Sequence, residues 1–372
     1  MPSILRKLFT VAVLCATCAL ATTSFAADPP TDHIAPYHDR FGRTRPVVAV
    51  IGENRGTELI DFMVPFSVLT QSGAADTIAV ATHAGPLTMR PALQIMPQAT
   101  IEAFDARYPE GADYVIVPAV VHSDDTVLLA WIAAQGASGS TIVSICDGAL
   151  VVANTGLMKG HRATGHWATD QLRQQNYPDT QWLQNARYVA DGRIVSSAGI
   201  SAAMPTALAL VEAIAGPQRA AALAAELGVS SWDTQHDSAV FHPRLGLNLT
   251  AFATTHFTNG WWYPMQDIGV LVAPGVDDIA LALTMDAYSR TGRSRARSLA
   301  GSAQPILTRH GLTVLPDRVI AAGNQPTRVL PEFAATAPAQ ALDQALAGIA
   351  LMYGKNTAYG VALDLEYPGF RN

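Results

Sequence analysis

Short runs of apolar, β-branched residues alternate with segments of helical spacing between residues 46 and 216. Continuous apolar runs of this length are typical of strands that are buried on both faces of a parallel sheet. The predicted strands cover residues 46–51, 77–82, 113–118, 141–145 and 193–196, and the predicted helices cover residues 59–73, 127–135, 147–158 and 202–214. The alternation predicts an α/β fold with helices on both faces of a parallel sheet.

The N-terminus has the pattern of a secretory signal peptide. Arg6 and Lys7 precede an uncharged, mostly apolar run at residues 8–21, and small residues stand at both key positions of Ser24-Phe25-Ala26. The run is shorter than the ~20 residues that a membrane-spanning helix needs. We therefore expect cleavage near Ala26, a periplasmic or secreted protein, and no membrane anchor in the mature chain.

The rest of the chain divides into segments of different composition. Residues 27–45 are polar and contain proline, and we interpret them as a tether to a first domain at residues 46–216. Trp, Phe and Tyr are concentrated in residues 217–266, an aromatic connecting segment. We expect these aromatic residues to pack between two domains, with the lining of a ligand cleft as the alternative.

A partial internal repeat is predicted in the last segment, residues 267–372. Residues 85–97 read GPLTMRPALQIMP and residues 304–316 read QPILTRHGLTVLP, with proline, arginine, leucine and proline at identical spacing. An apolar strand and a helix precede both stretches. The second copy has no cysteine, and its Ala280 aligns with Asp61, so we expect a degenerate, structural copy.

Charge and motifs exclude several classes of function. The net charge is -6 and the pI is about 5.9, and neither a basic domain nor a helix-turn-helix pattern is present, so we expect no nucleic-acid partner. The histidines lack metal-ligand spacing, and no glycine-rich nucleotide motif occurs. We expect neither a metal nor a cofactor, and a small molecule as ligand or substrate.

Cys146 is the candidate reactive residue. Cys15 and Cys18 lie in the predicted signal peptide, which leaves Cys146 as the one thiol of the mature chain. It follows an apolar strand and precedes a helix, so it falls at a strand-to-helix turn, where the helix N-terminus favours a thiolate. A buried, inert cysteine is the alternative.

Three stretches resemble the ThiJ/PfpI superfamily, the class I glutamine-amidotransferase-like proteins. They are SICDGALVVANTGLMKGHRATGHW at residues 144–167, ELIDFMVP at residues 58–65, and SAGI at residues 197–200. The match is most similar to the amidase-like domain of AraC-type regulators and to isocyanide hydratases, without the DNA-binding domain. The resemblance implies a flavodoxin-like three-layer sandwich, followed here by the partial degenerate second copy.

The resemblance also implies the roles of individual residues. Cys146 matches the nucleophile, Asp61 the acidic residue beside the thiol, and His166 a histidine near the thiol in part of the family. The residues that match oxyanion or substrate-binding positions are Asp147, Gly148, Ala119 and Gly199. Asp147 stands where some members have a histidine, and Ala119 replaces a glycine of the family's loop.

Three hypotheses about function follow, of which the last is a structural role without any ligand. The first is an exported cysteine-dependent enzyme that acts on a small electrophilic substrate by hydration or C–N hydrolysis. The second is a non-enzymatic protein that binds a small ligand or senses oxidants through its thiol. The resemblance implies a homodimer, although the second copy could instead cover that surface within one chain.

Overall fold

The computed structural model of this chain describes residues 32–323, 325–332 and 336–370, which pack as one compact unit. The predicted signal peptide and its cleavage site at Ala26 lie outside the described residues. Within these ranges, no helix combines the length and the apolar character that crossing a bilayer requires.

Eighteen strands and twelve α-helices make up the described residues. The strands are β1 Val47–Gly52, β2 Thr57–Glu58, β3 Asp76–Ala81, β4 Leu87–Arg90, β5 Gln94–Met96, β6 Ala99–Thr100, β7 Tyr114–Val117, β8 Thr141–Ser144, β9 Arg162–Ala163, β10 Gln181–Trp182, β11 Tyr188–Asp191, β12 Ile194–Ser197, β13 Gln266–Leu271, β14 Ser294–Ala300, β15 Ile306–Leu307, β16 Thr313–Leu315, β17 Arg318–Val319 and β18 Arg328–Val329. The helices are α1 Leu59–Ser72, α2 Ile101–Arg107, α3 Thr126–Ala137, α4 Gly148–Asn154, α5 Asp170–Asn176, α6 Ala203–Ala215, α7 Pro217–Leu227, α8 Leu249–Ala253, α9 Asn259–Trp262, α10 Asp278–Ser289, α11 Gln340–Tyr353 and α12 Lys355–Asp364.

The central sheet has seven strands in the order β11-β12-β8-β7-β1-β3-β6, and only β11 is antiparallel to its neighbour. Side chains alternate between the two faces of a strand. Val48 and Val50 of β1 accordingly pack in a core with α1 and α6, whereas Ala49 and Ile51 pack in a second core with α3 and α4. The predicted α/β fold, with helices on both faces of a mostly parallel sheet, is confirmed.

A second parallel sheet has the order β17-β14-β13-β18, the same as β6-β3-β1-β7 in the central sheet. Two of its four strands lie 219 residues after their counterparts, whereas β14 begins 218 residues after β3 and β18 begins 214 residues after β7. Residue 266 opens β13 and residue 47 opens β1, a difference of 219; residues 318 and 99, which open β17 and β6, differ by the same number. A partial second copy of the first domain would have this strand order. A common origin of the two halves stays a prediction.

The two halves meet through corresponding elements. Helix α1 packs against α10, and β5 pairs antiparallel with β16. In that pair Ile95 lies opposite Val314, the residue 219 positions later. Such self-matching contact is typical of two-fold interfaces between identical subunits, and here it forms inside one chain. Whether the chain also forms a homodimer stays a prediction.

The predicted tether is not free over its described part. Ile34 is buried, and the N–H of Tyr37 donates to the carbonyl of Ala213 over 2.9 Å. Arg40 donates to the carbonyl of Gly139, and Arg43 pairs with Asp113 over 3.2 Å. Residues 32–45 therefore lie against the first domain, because their arginines find carbonyl and carboxylate partners there.

The aromatic connecting segment differs from the expectation of packing between domains. Trp232 and Phe241 do pack against buried residues. Phe257, Trp261 and Trp262 instead stand at the surface and are largely exposed. Only part of the segment therefore contributes to a core.

Candidate active site

Cys146 lies at a sharp turn between β8 and α4. Its φ of 56° falls in the left-handed region that residues with a side chain rarely adopt. Gly148 must be glycine, because a Cβ there would lie 2.0 Å from the carbonyl oxygen of Val117. The turn places the thiol at the carboxyl end of the sheet, where ligand sites of α/β folds form.

The thiol is enclosed and its environment is acidic. Cys146 is only 4% exposed, and the backbone N–H of Asp147 hydrogen-bonds its sulfur. Burial, together with the carboxyls of Asp61, Asp147 and Glu58, raises the pKa of Cys146 well above its ordinary value. These effects outweigh the helix N-terminus, so the resting group is a neutral thiol rather than the thiolate that the turn favours.

Asp61 is a fully buried carboxyl on α1. Its Oδ2 accepts the N–H of Ala119 over 3.1 Å, and its own N–H donates to Oε2 of Glu58 over 2.6 Å. Its Oδ1 has no hydrogen-bond partner among the described residues. Burial raises the pKa of Asp61 to about 8, so the carboxyl holds a proton at neutral pH.

Helix α10 of the second half completes this acidic cluster. Arg290 donates to Oε1 of Glu58 over 2.9 Å and also pairs with Asp286, whose carboxyl hydrogen-bonds Glu58. Burial and the carboxyls of Asp61 and Asp286 raise the pKa of Glu58 well above its usual range. The second half therefore adds a cation and a carboxyl next to the candidate site.

The four predicted oxyanion and substrate-binding positions differ in what they offer. The N–H of Asp147 faces the sulfur, whereas that of Gly148 donates to the carbonyl of Ile145 and that of Ala119 donates to Asp61. Gly199 leaves room for the side chain of Glu366, because a Cβ at position 199 would lie 2.2 Å from Oε2 of Glu366. Only Asp147 places a backbone donor at the reactive atom.

His166 is engaged by the backbone on both sides of its ring. Nδ1 accepts the N–H of Ala168 over 3.2 Å, so Nε2 carries the hydrogen and donates to the carbonyl of Asp364 over 3.0 Å. The indole of Trp167 likewise donates to the carbonyl of Leu363. In this arrangement His166 fastens the end of α12 to the first domain, and its role near the thiol stays a prediction.

Three charged residues of the site region lacked any motif in the sequence. Arg173 is 1% exposed, lies 3.8 Å from Asp147 and pairs with Asp170. Glu366 is fully buried and pairs with His236 over 2.7 Å. Arg290 is the third. Periodicity in α5 does not indicate Arg173, because the one apolar residue of this helix, Leu172, is 43% exposed while Arg173 is buried. Arg290 and Glu366 depend on contacts across the whole chain.

A cavity of about 300 Å³ is lined by sequence neighbours of two site residues, but neither Cys146 nor Asp61 lines it. Its lining includes Ile60, which precedes Asp61, and Ile200, which follows Gly199. Met204 and Leu342 make further walls apolar. Arg187, His236 and Asp343 also line the cavity, so its surface is of mixed polarity. Over the residues that are described, no three His, Cys, Asp or Glu side chains are grouped to hold a metal ion.

Known proteins similar to this chain share its first domain. The profile of the DJ-1/PfpI family matches residues 47–213. The isonitrile hydratase of Pseudomonas putida is 29% identical over 162 residues, which are 42% of this chain and 67% of that protein. The HTH-type transcriptional regulator CdhR of Pseudomonas aeruginosa is 34% identical over 93 residues, 25% of this chain and only 27% of the regulator.

Two solved structures also resemble part of this chain at lower identity. A ThiJ/PfpI family protein from Pseudomonas syringae is 24% identical, with a TM-score of 0.43 over 49% of this chain and 74% of that one. DJ-1beta of Drosophila melanogaster is 20% identical, with a TM-score of 0.45 over 50% of this chain and 99% of its own. From the profile and the sequence relatives together, the chain contains a DJ-1/PfpI family domain.

Proposed function

We propose that the chain is a cysteine-dependent hydratase that adds water to a small electrophilic carbon, with an alkyl isonitrile as the model substrate. The observation that supports this proposal most directly is a pair of buried groups. They are a neutral thiol at Cys146 and a carboxyl at Asp61 whose pKa is about 8. Similarity to an isonitrile hydratase supports the choice of substrate class.

A neutral thiol suits the first step, because the terminal carbon of an isonitrile gains both a sulfur and a hydrogen. The S–H bond of Cys146 breaks, an S–C bond and a C–H bond form, and Asp61 passes the proton. The product is a thioimidate, in which nitrogen is doubly bonded to the same carbon.

Water completes the reaction. Its oxygen bonds to the thioimidate carbon and its proton goes to nitrogen, after which the C–S bond breaks and the sulfur recovers a proton. An N-alkylformamide leaves, so the net reaction is the addition of one water molecule to the isonitrile. The N–H of Asp147, already at the sulfur, stabilises negative charge there.

Export belongs to the same proposal. The N-terminal sequence pattern supports secretion with cleavage near Ala26, and the proposed reaction would then occur in the periplasm or outside the cell. Determining the N-terminus of the protein secreted by a bacterial host tests this point.

Incubation with a small alkyl isonitrile tests the reaction. We expect N-alkylformamide by NMR and, after rapid acid quenching, a mass increase of one substrate on the peptide that contains Cys146. The same preparation treated with an excess of iodoacetamide under mild denaturation, then refolded, is the control without a free thiol.

The second hypothesis, a thiol sensor, is favoured by one observation: the N–H of Ala119 already donates to Asp61 and is not free for a substrate. It predicts no formamide, and oxidation of Cys146 to a sulfinic acid by mild peroxide before any methionine reacts. That pair of results would replace the hydratase proposal.

A further inference from the structure

One surface of the molecule is both apolar and exposed, and neither the fold nor the candidate site uses it. Over nine residues, five large side chains stand at the surface: Phe257, Trp261, Trp262, Tyr263 and Met265. Trp261 is 83% exposed and Trp262 is 75% exposed. We call these five residues the aromatic patch. Adjacent exposed side chains of this size mark interaction sites rather than ordinary surface.

The patch is presented by a firmly packed helix. α8, a π-helical turn at Thr254–Thr258 and α9 form one continuous helical stretch. Ala251, Thr255 and Asn259, spaced by four residues, are its buried positions, and Asn259 donates to the hydroxyl of Thr357 on α12. The exposure of Phe257 and Trp261, one turn apart, is therefore a feature of a helix whose other face is already packed.

The surroundings of the patch are cationic. Residues 241–266 contain no aspartate or glutamate, although the whole chain has a net charge of -6. The guanidinium of Arg293 lies 3.6 Å from the ring centre of Tyr263 and 4.9 Å from that of Tyr353. Both Arg293 and Lys355 line a surface cavity of about 420 Å³ that includes Tyr263 and has no acidic residue in its lining.

We propose that the aromatic patch is a docking surface for an anionic phospholipid bilayer. Trp and Tyr side chains prefer the interface between water and hydrocarbon, and basic residues beside them are attracted to anionic headgroups. Arg293 and Lys355 would hold a headgroup at the cavity while Trp261 and Trp262 enter the outer layer of acyl chains. Such peripheral binding needs no membrane-spanning anchor.

The charge distribution favours a bilayer over a second copy of this chain. A two-fold contact between copies would bring the same patch, and hence the same cations, face to face. Residues 241–266 supply no carboxylate, and the nearby carboxylate of Asp364 is already engaged by His256 over 2.9 Å. An anionic lipid surface supplies the opposite charge and an apolar layer together.

Sedimentation with vesicles tests the proposal, using protein purified as expressed and its N-terminus defined by mass spectrometry. Vesicles of phosphatidylcholine alone are compared with vesicles of phosphatidylcholine and phosphatidylglycerol in equal parts. We expect binding to the anionic vesicles that weakens with salt, and a loss of about tenfold or more in the double variant W261S/W262S. Arg293→Glu with Lys355→Glu should reduce binding to the same vesicles.

Leu351→Ser is the matched control, because Leu351 is 90% exposed on α11, outside the patch, and its loss should leave binding unchanged. Equal binding of the parent and W261S/W262S, or no binding to either vesicle, would overturn the proposal. So would self-association without lipid that W261S/W262S abolishes, because the patch would then cover a second copy.

Discussion

Replacing Asp61 by asparagine should lower turnover of an alkyl isonitrile by about 10²–10⁴-fold, the usual contribution of a positioned acid or base. Asparagine keeps the shape of the side chain and an oxygen that can accept the N–H of Ala119, which now bonds Oδ2 over 3.1 Å. It has no proton to transfer. The loss should therefore appear in kcat while the melting temperature changes little.

Product formation measured by NMR, with thermal unfolding of the same samples, checks this expectation. Asp124→Asn is the matched control. It makes the same chemical change at an exposed residue away from the site. Parent-like turnover by Asp61→Asn would remove the carboxyl from the mechanism. Loss of the folded state instead would mean that Asp61 is needed for stability, and the protonated form would then have to be tested by pH alone.

Replacing Arg290 by methionine should destabilise the protein by about 3 kcal/mol at neutral pH, near the lower end for breaking a buried ion pair. Arg290 bonds Glu58 and Asp286, which are both buried, and its own side chain is 22% exposed. Without the guanidinium, the two carboxyls remain next to each other and must take up protons or stay charged without a partner.

The destabilisation should depend on pH in a defined direction. Burial already raises the pKa of Glu58 in the folded state, and removing the cation raises it further. A group with a raised folded pKa stabilises the fold at low pH and loses that contribution as the pH rises through the folded value. The difference between Arg290→Met and parent should thus be smallest in acid and grow toward neutral pH.

Urea unfolding at several pH values measures this difference. The chain offers a matched control in Arg309→Met, because Arg309 bonds Asp277, the N-cap of α10, much as Arg290 bonds Glu58, the N-cap of α1. The Arg309 side chain is 60% exposed, so its loss should cost under about 1 kcal/mol. Equal effects of the two substitutions would contradict a specific role for Arg290.

Local sequence patterns predicted the sheet and the turn at Cys146, since both depend on neighbouring residues. An apolar strand followed by Cys146, Asp147 and Gly148 is enough to indicate a thiol at the end of a buried strand. The contact of Arg290 with Glu58 joins residues 232 positions apart, and no local pattern reports such a pair. The hydrogen bond from Nε2 of His166 to the carbonyl of Asp364 has the same long-range origin.

The protonation state of the Cys146 thiol could not be predicted from the sequence either. A helix N-terminus favours a thiolate, and burial among carboxyls opposes it. The outcome depends on how deeply Cys146 lies and on how many carboxyls surround it, which only the packed structure gives. The exposed Trp261 and Trp262 differ from expectation for a related reason, because aromatic composition alone does not say which side chains reach a core.

The central claim is that Cys146 and Asp61 are both neutral at pH 7 and share protons as one unit. The rate of iodoacetamide labelling of Cys146 as a function of pH, in parent and Asp61→Asn, tests it most directly. We predict slow labelling at pH 7 and a rise only at a pH higher than an ordinary thiol requires, because the pKa of Cys146 is raised. The midpoint should be lower in Asp61→Asn, because an anion has been removed. Rapid labelling of the parent with a midpoint below pH 7 would contradict the claim.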